Sequence, residues 1–336
     1  MTSMLAVTLA ASLFASFQTT PPYKVVQKFA IGGEGGWDCI EVDSRSHRLF
    51  ISRGTHVMVL DVETGKLVGD IPNTNGVHDI ALLPKLNKGY ISDGRDNVVT
   101  VFDLKTLAEI KKVPVGNRPD IMTYDRASNL IFTFNGGSND ATAVDPKTDT
   151  VVGTVKLDGK PEFAQVDGHG TMYVNLEDKN EIEKVDTKGL KVIGSWPLAP
   201  GEGPTGLAID AKHGLLFSAC DNGMMAISDV KTGKIVATPA IGNGPDGAAF
   251  DPKPGYAFSP NGRDGTLTIL GKNGGAFSPI ATVATQRGAR TMALDSKTHK
   301  IYLIAADYEA PPAGSPPDTR PKMVPNSAVI LVVAPN

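Results

Sequence analysis

The sequence predicts an all-β chain, a seven-bladed β-propeller of four-stranded blades. Two recurring signals and one imbalance between the chain ends predict it. The first signal is an apolar-x-apolar-Asp segment with an aromatic seven residues later: Asp43 with Phe50, Asp125 with Phe132, Asp210 with Phe217, Asp251 with Phe258, Asp295 with Tyr302. Asp167 precedes Tyr173 by one residue less, and Pro84 stands in for the acid ahead of Tyr90. The period is about 42 residues, within the span of a four-stranded propeller blade. The second signal is an aspartate behind apolar residues at Asp61, Asp103, Asp145, Asp186 and Asp229, twice followed by the full turn, "DVETGK" and "DVKTGK". The Asp and Thr side chains can bond the turn backbone and Gly supplies positive φ, which is hairpin chemistry. The imbalance is that the seventh unit yields "TMALD", "KIYLI" and "AVILVV" and then the chain stops, one strand short.

In chain order, residues 1–20 carry an apolar run, Leu5 to Phe17, too short to span a bilayer. We read them as a secretory leader, which puts the mature protein in the periplasm or outside the cell. Residues 21–336 then form the propeller. "YKVVQKFAI" (23–31) precedes the first unit and has no blade of its own, so it should be the missing outer strand of blade seven. Each unit splits into strands a to d; in unit three these are "IMTYD", "LIFTF", "ATAVD" and "VVGTVKL". Blade seven departs from the pattern with a proline-rich stretch of about twenty residues, 307–327, between strands b and c.

Composition narrows the function. Hydrophobic residues make up 41% of the chain, enough for a substantial core, and Gly (36) and Pro (24) punctuate it at intervals. A net charge of -3 argues against a bulk nucleic-acid binder. Cys39 and Cys220 form no metal or haem motif, and are expected to be small buried side chains. No segment after residue 20 is long and apolar enough to span a membrane as a helix, and the chain is expected to be a monomer.

In a propeller, strand a lines the central channel, and the d-to-a and b-to-c loops share one face. Aligning the position that leads into strand a gives Asp38, Asp79, Asp120, Glu162, Thr205, Asp246 and Arg290, with Trp37 and His78 just ahead of two of them. Ring closure should gather these around one channel mouth as a mostly acidic ligand site. Arg290 can serve one or two of the acids, and Arg95, Arg118, Arg263 and Arg287 are candidates to serve others. Turn capping is the competing role for each acid. His56, His78, Asp38 and Asp79 share this face in adjacent blades and form a candidate divalent-metal set, though no metal is required. His47, His213 and His299 fall in a-to-b turns on the other face and should be solvated.

These residues resemble the YVTN-type β-propeller repeat proteins, specifically the exported YncE-like group. The carriers are the Gly-x-x-Pro-[Asp/Thr] lead-ins, the aromatic b strands ("YVN" at 173–175, "YIS" at 90–92) and the D-x-x-T-G-K turns. The strict name-giving tetrapeptide is absent. The fold hosts unrelated activities, so function must come from the site. The first reading is a non-catalytic exported propeller that binds a small molecule or a partner protein on the d-to-a/b-to-c face. The alternative is a lactonase-like hydrolase or lyase using the acidic mouth with a metal. The resemblance also implies DNA binding, which the net charge disfavours.

Overall fold

The computed structural model describes residues 22–310, 312, 314 and 321–336. The stretch read as a leader and part of the loop at 307–327 lie outside the described residues. Seven four-stranded antiparallel sheets follow one another around a ring. Blade one contains strands Ile40–Asp43, Arg48–Ser52, Val57–Asp61 and Leu67–Ile71, paired in that order, and the next five blades repeat the plan. Blade seven takes strands a to c from Met292–Asp295, Lys300–Ala305 and Val329–Pro335, and its outer strand is Tyr23–Ala30 from the other end of the chain. That strand pairs antiparallel with the last one, from Tyr23 opposite Pro335 to Ala30 opposite Val329. The ring is therefore closed by hydrogen bonds between the two ends, one β-bulge included.

A single blade cannot bury both faces of its sheet, so the core lies in the seams between blades. Each strand-b aromatic fills one seam. Phe50, Tyr90, Phe132, Phe217, Phe258 and Tyr302 are at most 1% exposed and Tyr173 is 2% exposed. Phe50 packs with Ile80 and Phe102 of blade two, and Phe217 with Ala257 and Phe277 of blade six. Tyr302 meets Leu49 and Ile51 of blade one, so the last seam is as apolar as the others. Full burial of one such ring contributes about 1.5–3 kcal/mol.

The aspartates that end strand a cap their own turns and, in several blades, also hold the neighbouring blade. Asp125 accepts backbone N–H bonds from Ala127 and Ser128 and a 2.6 Å bond from the Thr187 hydroxyl of blade four. Asp295 takes one of 2.6 Å from Ser44 of blade one. His299 was expected to be solvated. Its side chain is only 17% exposed and lies 2.6 Å from buried Asp251 of blade six. The reason is that its turn leans across the seam, where a buried carboxylate needs a donor. Cys39 and Cys220 are free and buried.

Candidate functional site

In several blades the start of strand a is held by a polar side chain on a strand b. The Asp38 N–H donates to Ser52 Oγ at 2.8 Å, and the Asp79 N–H to Ser92 Oγ at 2.9 Å. Asn175 reaches forward from blade four and donates to the Thr205 carbonyl at 3.0 Å. These bonds set the first residues of strand a at one end of the channel. There Asp38, Asp120, Glu162, Thr205, Asp246 and Arg290 line one cavity of about 980 Å3, together with Trp37 and His78. A contiguous cavity of about 530 Å3 shares Thr205, Asp246 and Arg290 and extends to Asp221, Arg263, Arg287 and Tyr308.

Asp79 does not line this space. Its carboxylate turns back to accept the N–H groups of Ile80 and Met122, both at 2.8 Å. Thr205 donates to the carbonyl of Pro245 at 3.2 Å and so is tied to the adjoining blade. Trp37 is 7% exposed and sits among the apolar residues of the seam between blades seven and one, with its ring centroid 6.5 Å from that of Tyr308.

The floor of the cavity carries carboxylates held by three cations, two of which, His78 and Arg290, bridge acids of non-adjacent blades. His78 Nδ1 donates to Asp38 Oδ2 at 2.7 Å and lies 3.5 Å from Asp120 Oδ1. Arg290 Nε donates to Asp246 Oδ2 at 2.7 Å, and its Nη2 lies 3.6 Å from Asp38 Oδ1. Lys160 Nζ is 2.8 Å from Glu162 and also contacts Glu177. Burial and the proximity of Asp38 raise Asp120 and Asp246, while burial and Asp120 raise Glu162. Burial opposes a charge on His78, but the bond to Asp38 and the field of Asp120 outweigh it and carry the imidazole up to about 9. Asp120, Glu162 and Asp246 are thus costly to ionise, and each has a specific cation beside it.

The rim differs from the expectation of a mostly acidic mouth. Arg95 and Arg118 line the larger cavity, and Arg263 and Arg287 the smaller one. Among the described residues none of the four guanidinium groups has an ion pair or hydrogen bond. They were expected to serve floor acids, but His78, Lys160 and Arg290 already occupy those positions. The arginine stems are taken up by glycines instead. A Cβ on Gly76 would meet Arg95 Cγ at 2.6 Å, and one on Gly244 would meet Arg263 Cγ at 2.5 Å. The result is an acidic floor under a rim with free positive charge.

The metal set expected from sequence is not brought together as such. His56 Nε2 lies 3.6 Å from Asp70 and lines a separate shallow depression, because strand c stands further from the axis than strand a. The set that does converge is Asp38, His78 and Asp120, whose ligand atoms all lie within 4.8 Å of one another. One imidazole and two carboxylates suit a first-row divalent ion. A metal there would have to displace the proton that the two aspartates hold on His78.

Sequence reasoning missed one group of the site and one acid behind it that lines neither cavity. Lys160 precedes the aligned position by two residues and bonds two acids of the floor. Glu41 lies further down strand a, where burial and Asp79 push it up to about 8. An acid in the otherwise apolar "CIEVD" was the available signal.

No family model matches the chain. Antigen Lp49 of Leptospira interrogans serogroup Icterohaemorrhagiae serovar copenhageni (strain Fiocruz L1-130) is 26% identical over 185 residues, covering 53% of this chain and 40% of its own length. The chain therefore matches well under half of that curated relative. Among solved structures, a chain of the Kuenenia stuttgartiensis hydrazine synthase superposes with a TM-score of 0.68 at 18% identity, over 88% of this chain and 96% of that one. No helix among the described residues is long and apolar enough to cross a membrane. At these identities the likeness establishes the seven-bladed propeller and nothing finer.

Proposed function

We propose that this protein is an exported binding propeller of the YVTN type, and that its ligand sits in the mouth lined by Asp38, Asp120, Glu162, Asp246 and Arg290. The observation that carries the reading is the division of charge in one cavity of about 980 Å3: paired carboxylates on the floor, unpaired Arg95 and Arg118 at the rim. A ligand with anionic groups outward and hydroxyl or ammonium donors inward satisfies both layers. That chemistry fits a small polar molecule, such as an amino acid or an acidic sugar, or the charged loop of a partner protein. The acids Glu177 and Asp221 interrupt the arginines, which weighs against a continuous track for nucleic-acid phosphates. The leader-like residues 1–20 support export.

The test is calorimetric titration of the purified protein with a panel of amino acids and acidic sugars. At least one should bind with a Kd below about 1 mM, weaken with added salt, and lose at least tenfold in both Arg118→Ala and Asp246→Asn. A panel without a binder, or one whose binder ignores both substitutions, overturns the assignment of the ligand to this mouth.

The grouping of Asp38, His78 and Asp120 favours a second reading, a metal-assisted hydrolase or lyase of the lactonase-like kind. A bound divalent ion there would act as a Lewis acid and lower the pKa of a bound water. Titration with Zn2+ and Mn2+ should then saturate at one ion per chain and fail in Asp120→Asn. Absence of saturable binding excludes this reading while leaving the first intact.

A further inference from the structure

Blade two breaks the repeat at the opposite end of the ring. Where the other blades end strand a with an aspartate that caps the turn, blade two has Pro84, which opens a single 3-10 turn, Pro84–Leu86. Two things follow. The turn loses its negative charge, and it presents Leu86, 41% exposed, in place of a polar cap. Beside it lies a pocket of about 380 Å3 between the turns of blades one, two and three. Its apolar lining is Leu82, Leu83, Leu86 and Tyr124, and its charged lining is Arg45, Lys85, Arg126 and Lys147, with no acid among the lining residues.

The nearby aspartates are already engaged. Asp43 bonds the Arg45 N–H and the Ser46 hydroxyl, Asp125 bonds its own turn and Thr187, and Asp145 accepts the Lys147 N–H. Among the described residues no side-chain partner holds any of the four cationic heads. Tyr124 keeps its hydroxyl at the rim, 3.3 Å from Asn129 Oδ1, and its ring is half-buried beside the leucines. The pocket therefore pairs an apolar lining with unopposed positive charge, whereas the main mouth sets acids against its cations.

We propose that this pocket is a second ligand site, distinct from the channel mouth, and that it takes a small amphipathic carboxylate, with the apolar body on Leu82, Leu86 and Tyr124 and the carboxylate at Arg126 and Lys85. Its volume lies at the lower end of small-molecule sites, about 300–1,000 Å3. A guanidinium receives a carboxylate by two parallel hydrogen bonds, which sets the orientation. The exposed rim leaves the charges partly screened, so the affinity is modest and falls with salt.

Octanoate and its neutral isostere octanamide are the probes, titrated into the full chain and followed by calorimetry and by chemical-shift changes at Tyr124. Octanoate should bind at one site with a Kd below about 1 mM, and octanamide at least tenfold more weakly. Arg126→Ala and Leu86→Asp, both at exposed positions, should each weaken octanoate about fivefold or more while the circular dichroism and melting temperature stay unchanged. Arg290→Ala, in the channel mouth, should leave octanoate binding as it was. Equal binding of the two probes, no saturable octanoate binding, or sensitivity to Arg290→Ala but not to Arg126→Ala, overturns the proposal. Because no mouth residue is shared, this outcome is independent of the function proposed above.

Discussion

His78 shows how much a single side chain does in this mouth. It is the donor to Asp38 and the nearest cation to Asp120, and those two acids come from blades on either side of its own. Replacing it by Ala leaves two part-buried carboxylates facing each other without a proton donor. We expect His78→Ala to lose about 1 kcal/mol in urea unfolding, a figure kept small because the pair is partly open to solvent. Unchanged stability would mean that water serves the aspartates as well as the imidazole does. The strand-b aromatics are a different case, since nothing replaces a ring in a dry seam. Phe217, stacked on Phe250 at 5.2 Å and edge-on to Phe277 at 5.0 Å, should cost about 3–5 kcal/mol as Phe217→Ala.

The closing strand Tyr23–Ala30 holds the ring by a ladder of backbone bonds and by two rings that point into seams. Tyr23 packs edge-on to Phe258 at 5.2 Å. Phe29 lies over Gly65 in the turn between the outer strands of blade one; a Cβ on Gly65 would fall 2.1 Å from its ring, and Gly65 also has φ +68. The glycine of "DVETGK" is therefore needed twice, for the backbone and for the closure. Gly65→Ala should destabilise the fold by about 2 kcal/mol or more, since even the unhindered left-handed conformation costs an L-residue about 1–2 kcal/mol. Deleting residues 22–30 exposes the edge of Val329–Pro335 and should replace one cooperative melt with a broad or aggregating one. A sharp transition at the original temperature after that deletion would show that the seams alone close the ring.

The ionisable groups of the mouth, of strand a behind it and of the turns together give the protein an uneven response to pH. Asp79 is raised to about 7 by burial, despite two backbone bonds, and Glu41 to about 8. Both bind a proton in the folded state at a pH where the unfolded chain has lost it, so their ionisation subtracts stability as pH rises above about 4. His78, raised to about 9, adds stability that is complete below its unfolded value and is lost as pH passes through about 9. The turn aspartates Asp125 and Asp295 have the opposite sign: burial is outweighed by hydrogen bonds, their pKa values fall, and their contribution disappears in acid. Melting temperature should therefore peak near pH 5 and decline steadily to pH 9. A melting temperature that climbs between pH 5 and pH 8 would contradict the burial of Asp79 and Glu41.

Much of this architecture was legible in one chain because the physics behind it is local and repeated. A capped turn needs Asp, Thr and Gly at fixed spacing, and a seam needs an aromatic once per blade, so Asp43 with Phe50 and its counterparts disclosed the period, the blade number and the closing strand. The lead-in residues were legible for the same reason, down to their gathering at one mouth. What the spacing does not encode is the rotation of each side chain and the distance of each strand from the axis. That is why Asp79 turned to the backbone N–H groups of Ile80 and Met122, why His56 fell to Asp70 while Asp120 joined His78, and why Lys160 went unnoticed. The pairing of mouth charges is settled only in the assembled ring: stacking of neighbouring blades sets Asp38 and His78 within hydrogen-bond distance, and closure of blade seven on blade one sets Arg290 3.6 Å from Asp38. The sequence by itself determined the ring. The tertiary structure decided which charges in it are paired and which are left without a partner.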